Sequence, residues 1–440
     1  MNVVKQTSGH SNIMEVGRNS MKKFTQKAAG ILFLLMMTSM AMATDGYFSH
    51  GYGTKHKAMG GTGVAFPLNS MSSITNPAGA AFLGNSYDFG LAMFSPSRQY
   101  TIVGNPSMQM GTFGLTPGTV KSKSNYFFIP SFGVNRTYGS NTYNITVYGN
   151  GGMNTDYKTH TYYDMTTSST GVNLTQLFVG LTYARRINEK HALGLSAIIA
   201  YQRFQVKGVK SFSGFSRDDK NLSDMGFSNS IGMGARIGYT GKILPQLTLG
   251  AAFQTKIFMS EFKQYAGLFA EQGDFDIPAN WTAGVAYNVN EALSFTFDVK
   301  QIFYSGIKSV SNPFVPADFQ NNILLGDDNG AGFGWEDMTV FKLGTQWQKG
   351  EGWTWRAGYS YGKQPIPKEE MMFNILAPGV IEQHLTFGFS KSLANKHEVN
   401  FAAMFGFAKE ISGPNPMEIP NQQTIKLKMS QMEFEVGYSF

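Results

Sequence analysis

ALSFTFDVK, residues 292–300, places Leu293, Phe295, Phe297 and Val299 on one parity and Ser294, Thr296, Asp298 and Lys300 on the other. A period of two sends successive side chains to opposite faces of a strand, so this stretch has one apolar and one polar face. The pattern recurs. In 339–348, Phe341, Leu343, Thr345 and Trp347 alternate with Lys342, Gly344, Gln346 and Gln348. In 381–390, Ile381, Leu385, Phe387 and Phe389 alternate with Glu382, His384, Thr386, Gly388 and Ser390. In 230–239, Ile231, Met233, Ala235, Ile237 and Tyr239 share a face, and Arg236 stands among glycines on the other.

Read outward from these segments, the chain has fourteen candidate strands, near 85–103, 122–137, 141–156, 173–187, 190–207, 227–240, 246–259, 279–289, 292–305, 337–349, 352–363, 379–391, 395–409 and 424–440. Short links (Gly139-Ser140, Asn188-Glu189, Asn290-Glu291, Gly350-Glu351) alternate with long ones at 104–121, 157–172, 208–226, 260–278, 306–336, 364–378 and 410–423. Transmembrane β-barrels of the outer membrane have this asymmetry, with short periplasmic turns, long outer loops and an even strand number. A soluble sandwich requires neither this alternation nor so aromatic an outward face. The expected architecture is therefore an all-β, 14-stranded antiparallel barrel with both ends of the wall on the periplasmic side.

The final segment ends Met432, Phe434, Val436, Tyr438 and Phe440 on one parity, with Glu433, Glu435, Gly437 and Ser439 between them. Ile425, Leu427 and Met429 have the opposite parity, which predicts a bulge near Ser430-Gln431. Trp347, Trp353 and Trp355 flank a short turn, where an interfacial aromatic girdle belongs.

Composition agrees with such a wall. Apolar residues are 42%, aromatics 14%, and there are 50 glycines and no cysteine in 440 residues. Because only alternate residues of a barrel strand face lipid, mean hydropathy stays low. Without cysteine there is no disulfide, thiolate metal site or Cys nucleophile.

Residues 1–43 read as a secretory leader: a basic start at Met21-Lys22-Lys23, an apolar stretch at 28–37 and Ala41-Met42-Ala43 as the cleavage site. The mature chain then begins near Thr44, and Met21 is an alternative start of translation. The leader carries Lys5, Arg18, Lys22, Lys23 and Lys27 against Glu15, so the formal net charge of +7 falls to +3 without it. No basic stripe remains to suggest a nucleic-acid partner.

Residues 44–83 precede the wall, which occupies 84–440. They are rich in glycine and end in SSITNPAGAAFLG, residues 72–84. Pro77 cannot donate to a ladder, yet Ala80, Ala81 and Phe82 are too apolar for a solvated turn. A lumen of this width needs filling, so this segment is expected to form a plug, with Pro77 setting a turn against the wall.

GYFSHGYGTKHKAMGGTGVAFPLNSMSSITNPAGAAFLG resembles the N-terminal hatch of the FadL/TodX family of outer-membrane transporters for hydrophobic compounds, in which a GG-G-A segment leads into an NPAG turn. YNITVYGNGGMNTDY, residues 143–157, is similar to the family's third strand, and the terminal Phe440 also fits. At Leu68-Asn69 the chain departs from the family, whose members commonly carry an acidic residue before the Ser/Thr run. The resemblance implies a gate at Asn76, Pro77, Ala78 and Gly79. It also implies an inward kink at Gly149, Asn150, Gly151 and Gly152 that opens a lateral window. Read from the residues alone, those glycines mark a bulge or bend in the strand.

The ligand is expected to be a long-chain fatty acid or similar amphiphile, or alternatively an aromatic hydrocarbon, moving passively. An open porin would have charged lumen rings and no plug, whereas a hydrophobic-ligand channel is expected to have few lumen charges. The loops carry Phe212 and Phe215, and Phe262, Leu268 and Phe269, as a groove open to the outside. Phe258, Phe262, Tyr265 and Phe269 have helical spacing, which suggests one apolar helical face. For a carboxylate, lumen-facing Arg236, Lys300, Lys342 and Arg356 are the candidate contacts, with lumen salt bridges as their alternative role. No catalytic constellation stands near His384, so an outer-membrane lipase-type barrel is the lesser alternative. No cofactor or metal is expected. Expected partners are outer-membrane lipid, lipopolysaccharide and the barrel assembly machinery acting on the strand that ends in Phe440. The chain is expected to be a monomer in a Gram-negative outer membrane.

Overall fold

The computed structural model describes residues 45–418 and 423–440, so the expected leader and the alternative start at Met21 lie outside the described residues. Fourteen long strands form the wall: β1 (Ser86–Val103), β2 (Phe127–Tyr138), β3 (Asn141–Asn154), β4 (Gly171–Arg186), β5 (His191–Lys207), β6 (Ser228–Lys242), β7 (Leu247–Gln254), β8 (Asn280–Asn288), β9 (Leu293–Ile302), β10 (Met338–Lys349), β11 (Trp353–Gly362), β12 (Gln383–Ser392), β13 (Glu398–Pro414) and β14 (Thr424–Ser439). Each pairs antiparallel with the next, and β14 returns to β1 in a register running from Asp88–Ser439 to Val103–Thr424. That seam leaves no open edge, as a wall in lipid requires. No helix among the described residues is long and apolar enough to cross a membrane.

The parity read from the sequence survives in the burial of the strands. Phe89, Leu91, Phe295, Phe297, Phe341, Leu343, Leu385 and Phe387 are exposed on the outside. Asp298, Lys300, Lys342 and His384 are buried inside. Trp347 and Trp355 are register partners beside the 350–352 turn, and Trp353 stacks on Trp355 with ring centres 5.8 Å apart.

Three expectations need correction. β2 begins at Phe127 rather than near 122, and Gly118–Lys121, expected within the 104–121 link, forms a short separate strand on β1. β7 ends at Gln254, and Phe258–Met259 folds back onto β6. β14 has no bulge at Ser430-Gln431: its register with β1 is continuous, and the irregularity lies in β13 between Gly406 and Lys409.

The parity change in β14 has a different cause. Ile425, Leu427, Met429, Gln431, Glu433 and Glu435 all point inward. The inward face simply passes from apolar to charged along one regular strand. The lumen accordingly has two tiers. Toward the long loops lies a large apolar cluster, including Phe204, Phe212, Phe262, Phe269, Phe275, Trp335 and Leu427. Toward the short turns lies a polar tier, built on the segment that precedes β1.

Candidate functional site

Residues 45–83 fill the polar tier. They form a helical turn at Thr54–Lys57 and two 3-10 turns at Ser70–Ile74 and Pro77–Phe82. The NPAG sequence is thus a capped 3-10 start rather than a loose turn. Asn76 accepts from the Ala78 N–H at 3.0 Å, and Pro77 occupies the first turn, where its missing N–H costs nothing. Asn76 Nδ2 lies 2.6 Å from Val64 O, 2.9 Å from Tyr239 O and 2.9 Å from Thr240 Oγ1, tying the segment to itself and to β6.

The wall is shaped to receive it. Gly194 pairs with Gly238, Gly250 with Gly284, and Gly344 with Gly358 across adjacent strands. A Cβ at Gly194 would lie 2.4 Å from Ala78 N, one at Gly250 2.1 Å from Val64 O, and one at Gly358 2.1 Å from Gly60 N. These paired glycines are dents into which backbone fits. In the sequence they stand out only as glycines on the polar parity, a signal that could have been read as docking positions.

Charge fixes the rest. Lys57 reaches Glu433 at 2.5 Å and Glu435 at 2.6 Å, all three buried. Asp298 Oδ2 accepts from the Gly63 and Val64 N–H groups at 2.8 and 3.0 Å. Asp88 Oδ2 accepts from Ser70 N at 2.8 Å and Ser70 Oγ at 2.5 Å. Asn69 caps the Ser70 turn through a reciprocal contact with Ser72. The expectation of few lumen charges therefore fails, because the charges hold the plug rather than line an open pore.

The third strand bends where its glycines predict. β2 accompanies β3 only from Phe132–Val147 to Tyr138–Asn141, and the register with β4 shifts between Gly149 and Gly152. The backbone groups freed there bind residues 47–49: Gly152 N donates to Tyr47 O at 3.0 Å, and Ser49 N donates to Asn150 O at 2.8 Å. Residues 47–49 thus line the inner side of the bend.

Three of the four candidate cations share one cavity. Arg236, Lys300 and Lys342 line it with Phe48, His50 and Asn280. Asp45 Oδ2 lies 3.0 Å from Lys342 and 3.6 Å from Lys300, and Phe48 lies under Lys300 at 4.9 Å. Arg236 donates to Gln254, and Asn280 Nδ2 has no hydrogen-bond partner among the described residues. Arg356 is elsewhere. It bonds Gln346 and Ser390 and faces a recess of about 570 Å³ beside the short turns, with Lys55, Lys349 and Glu398.

In the upper tier, Phe212, Leu268 and Phe269 line an apolar slot with Leu222, Leu325 and Phe373. The slot has a volume of about 20 Å³, and Phe212, Leu222 and Phe269 are all buried, so the loops close over it. Two predicted groove residues lie outside it. Phe215 packs on Phe319 at 4.7 Å, and Phe262 packs under Phe204 at 5.6 Å. The expected helix over 258–269 does not form either. Phe258 belongs to a short strand and faces outward, while Phe262, Tyr265 and Phe269 gather on Phe204. Rings connect slot to cavity, with Phe269–Phe275 at 4.9 Å, Phe275–Tyr47 at 6.1 Å and Tyr47–Phe48 at 5.3 Å.

A closed membrane barrel with a latched internal plug and an apolar chamber beneath its outer loops is a channel for hydrophobic molecules rather than an open porin. Residues 48–413 match the family model described as outer membrane protein transport protein (OMPP1/FadL/TodX), and the chain belongs to that family. It is an outer-membrane transporter of hydrophobic compounds. No curated protein matches the chain. Among solved structures, the Pseudomonas putida toluene transporter TodX is similar at 19% identity, covering 89% of this chain and 98% of that one, with a TM-score of 0.65. A Pseudomonas aeruginosa FadL homologue shares 13% identity over 90% of this chain and 99% of that one, with a TM-score of 0.68. The Ralstonia pickettii toluene transporter TbuX shares 19% over 89% and 98%, with a TM-score of 0.61. At these identities the likeness is one of fold.

Proposed function

We propose that the channel carries long-chain fatty acids or amphiphiles of the same chemistry, passively, and releases them sideways at the β3 bend. The observation that carries this reading is the cationic cavity of Arg236, Lys300 and Lys342 at the foot of an aromatic seam leading from the apolar slot. A tail lying along Phe269, Phe275 and Tyr47 brings a carboxylate to those cations. A neutral aromatic hydrocarbon, the cargo named for TodX and TbuX, gains from the slot but nothing from the cavity.

Asp45 already holds the two lysines, so an arriving carboxylate competes with it. The backbone of Asp45 bonds reciprocally with Phe48, and residues 47–49 cover Asn150 to Gly152. Displacing Asp45 therefore loosens the segment over the bend and frees a path into lipid. On this reading the moving gate is residues 45–49, and Asn76, Pro77, Ala78 and Gly79 are its fixed anchor. The exposed apolar band sits in outer-membrane lipid below lipopolysaccharide. The strand ending at Phe440 is the segment offered to the assembly machinery, and one barrel is the transporting unit.

Solvent extraction and mass spectrometry of the purified protein test the cargo. Co-purifying fatty acids, lost in Lys300→Met/Lys342→Met, support the reading. Bound neutral hydrocarbon, or fatty acid retained by that variant, refutes it.

A further inference from the structure

On the lipid side of the wall, beside the β3 bend, the outward face of the barrel changes character. β4 and β5 pair without a break from Gly171–Lys207 to Arg186–Ala192, so Asn173, Gln205 and Lys207 share the face of Leu181, Tyr183, Leu193 and Leu195. Those last four are exposed to lipid. Toward the long loops the same face turns polar: Thr175 pairs with Arg203, Asn173 with Gln205, and Lys207 follows. The polar rows lie beyond the apolar band at the outer end of the strands, which is the level of the outer leaflet's head groups.

At that level the wall holds a recess of about 200 Å³. Asn154, Asn173, Gln205, Lys207 and the Asp156–Lys158 pair line it, with Ser124, just ahead of β2, on one side. The lining offers polar groups that the fold does not use. Asn154 is only 5% exposed, yet its side chain makes no hydrogen bond among the described residues. A buried amide left without a partner costs free energy, so this one calls for a polar occupant. The side chains of Gln205 and Lys207 are likewise unpaired among the described residues. Asp156 lies 2.8 Å from Lys158, while no carboxylate among the described residues reaches Lys207, so the recess keeps a positive balance. Amides beside a free ammonium suit a group that is both anionic and rich in hydroxyls. Below the recess, the Val179–Ile199 and Leu181–Ala197 pairs continue the face as an apolar track for acyl chains.

We propose that this recess binds the phosphorylated glucosamine head of one lipopolysaccharide molecule, whose acyl chains lie on the track between β4 and β5. Lys207 meets the phosphate, and the amides of Asn154, Asn173 and Gln205 meet phosphate and sugar oxygens. Asn154 and Asn173 are register partners two residues beyond the Gly152–Thr175 pair, so the glycolipid stands at the outer edge of the bend. The site does not depend on which cargo the channel carries.

The test uses the full-length protein in detergent, with native mass spectrometry to count bound lipid. The probes are lipid A carrying both phosphates, the same lipid dephosphorylated, and inorganic phosphate as competitor. One bisphosphorylated lipid A per barrel is expected, held at least about tenfold more tightly than the dephosphorylated form, as one lost charge-assisted contact implies. Millimolar inorganic phosphate should not displace it. In Gln205→Glu/Lys207→Glu the preference for the phosphorylated form should vanish, with heat-resistant mobility on gels unchanged. Asn154→Ala, which removes the buried amide and adds no charge, should weaken binding of the phosphorylated form and decides the matter if the double variant does not assemble. Equal affinity for the two forms in the wild type, or an unchanged preference in the variants, overturns the site. Displacement by millimolar inorganic phosphate marks a free-anion site and overturns the lipid assignment. Fatty-acid binding inside the barrel is read separately, so the transport reading survives either failure.

Discussion

Replacing Gly151 with Ala is the sharpest probe of the bend in β3. A Cβ at this position would lie 1.8 Å from Tyr47 O and 3.2 Å from Phe48 Cα. A carbon–oxygen contact relaxes at about 3.3 Å, so residues 47–48 must retreat by roughly 1.5 Å. Flanking the clash are the bonds Gly152 N to Tyr47 O (3.0 Å) and Ser49 N to Asn150 O (2.8 Å), which do not survive such a shift. At about 0.5–1.5 kcal/mol each, their loss weakens the seal by roughly 1–3 kcal/mol. That is about 5- to 150-fold in the population of the unsealed state, since 1.4 kcal/mol is tenfold. The barrel itself should assemble normally, because the β3–β4 register on either side is untouched. Brief openings in planar bilayers should therefore become more frequent, with no change in heat-resistant mobility on gels. A Gly151→Ala channel as quiet as the wild type would refute the idea that residues 47–49 seal the bend.

Two further perturbations address the latches. Lys57→Met leaves the buried Glu433 and Glu435 carboxylates without their cation, a change that costs about 3–5 kcal/mol where a buried pair is broken; the plug should loosen, seen as steady conductance and as protease cleavage within 45–83 in a barrel that still assembles. In the outer loops, burial and then the Asp276 carboxylate raise the Asp274 carboxyl to about 7, with Glu271 adding and Lys256 paired to Asp276 at 2.8 Å. The folded loop therefore holds more protons than an unfolded one between about pH 4 and 7, so its stability falls as pH rises through that window. Protection factors across 258–279, the exchange rates taken relative to each amide's intrinsic rate at the same pH, should be lower at pH 8 than at pH 5, and Asp274→Asn should remove the difference.

What could be read from the sequence was whatever repeats with period two. All fourteen wall strands follow from that parity and from the alternation of links, because facing lipid outside and polar lumen inside writes itself into each strand. The failures share one cause. Parity reports which side a residue faces, not what it meets there. In β14 the inward residues change from Met429 to Glu433 because the neighbour changes from loop core to plug, and the sequence reading mistook this for a bulge. Lys57, Asp298 and Glu433 lie far apart in the chain, so their joint role in holding the plug was not visible. Phe258, Phe262, Tyr265 and Phe269 have helical spacing by coincidence, since each is placed by contacts with Phe204 or lipid rather than by a helix.

The competition at Lys300 and Lys342 sets a length requirement on the cargo. Asp45 is tethered, so its carboxylate faces the lysines at an effective concentration of order millimolar. A free carboxylate at micromolar concentration is outcompeted about a thousandfold, or roughly 4 kcal/mol at 1.4 kcal/mol per tenfold. Only the tail can supply that difference. Each buried methylene contributes about 0.8 kcal/mol, so roughly five methylenes along the seam of Phe269, Phe275 and Tyr47 offset the tether. Further methylenes are needed to part the closed slot. Fatty acids of about six carbons or fewer should therefore neither displace Asp45 nor be transported, while uptake should rise steeply with chain length above that. Asp45→Asn removes the internal competitor and should shift the threshold toward shorter acids. Uptake of a series from butyrate to palmitate by cells carrying either form measures both. A threshold that stays in place in Asp45→Asn would show that the lysines are not where the head group lands.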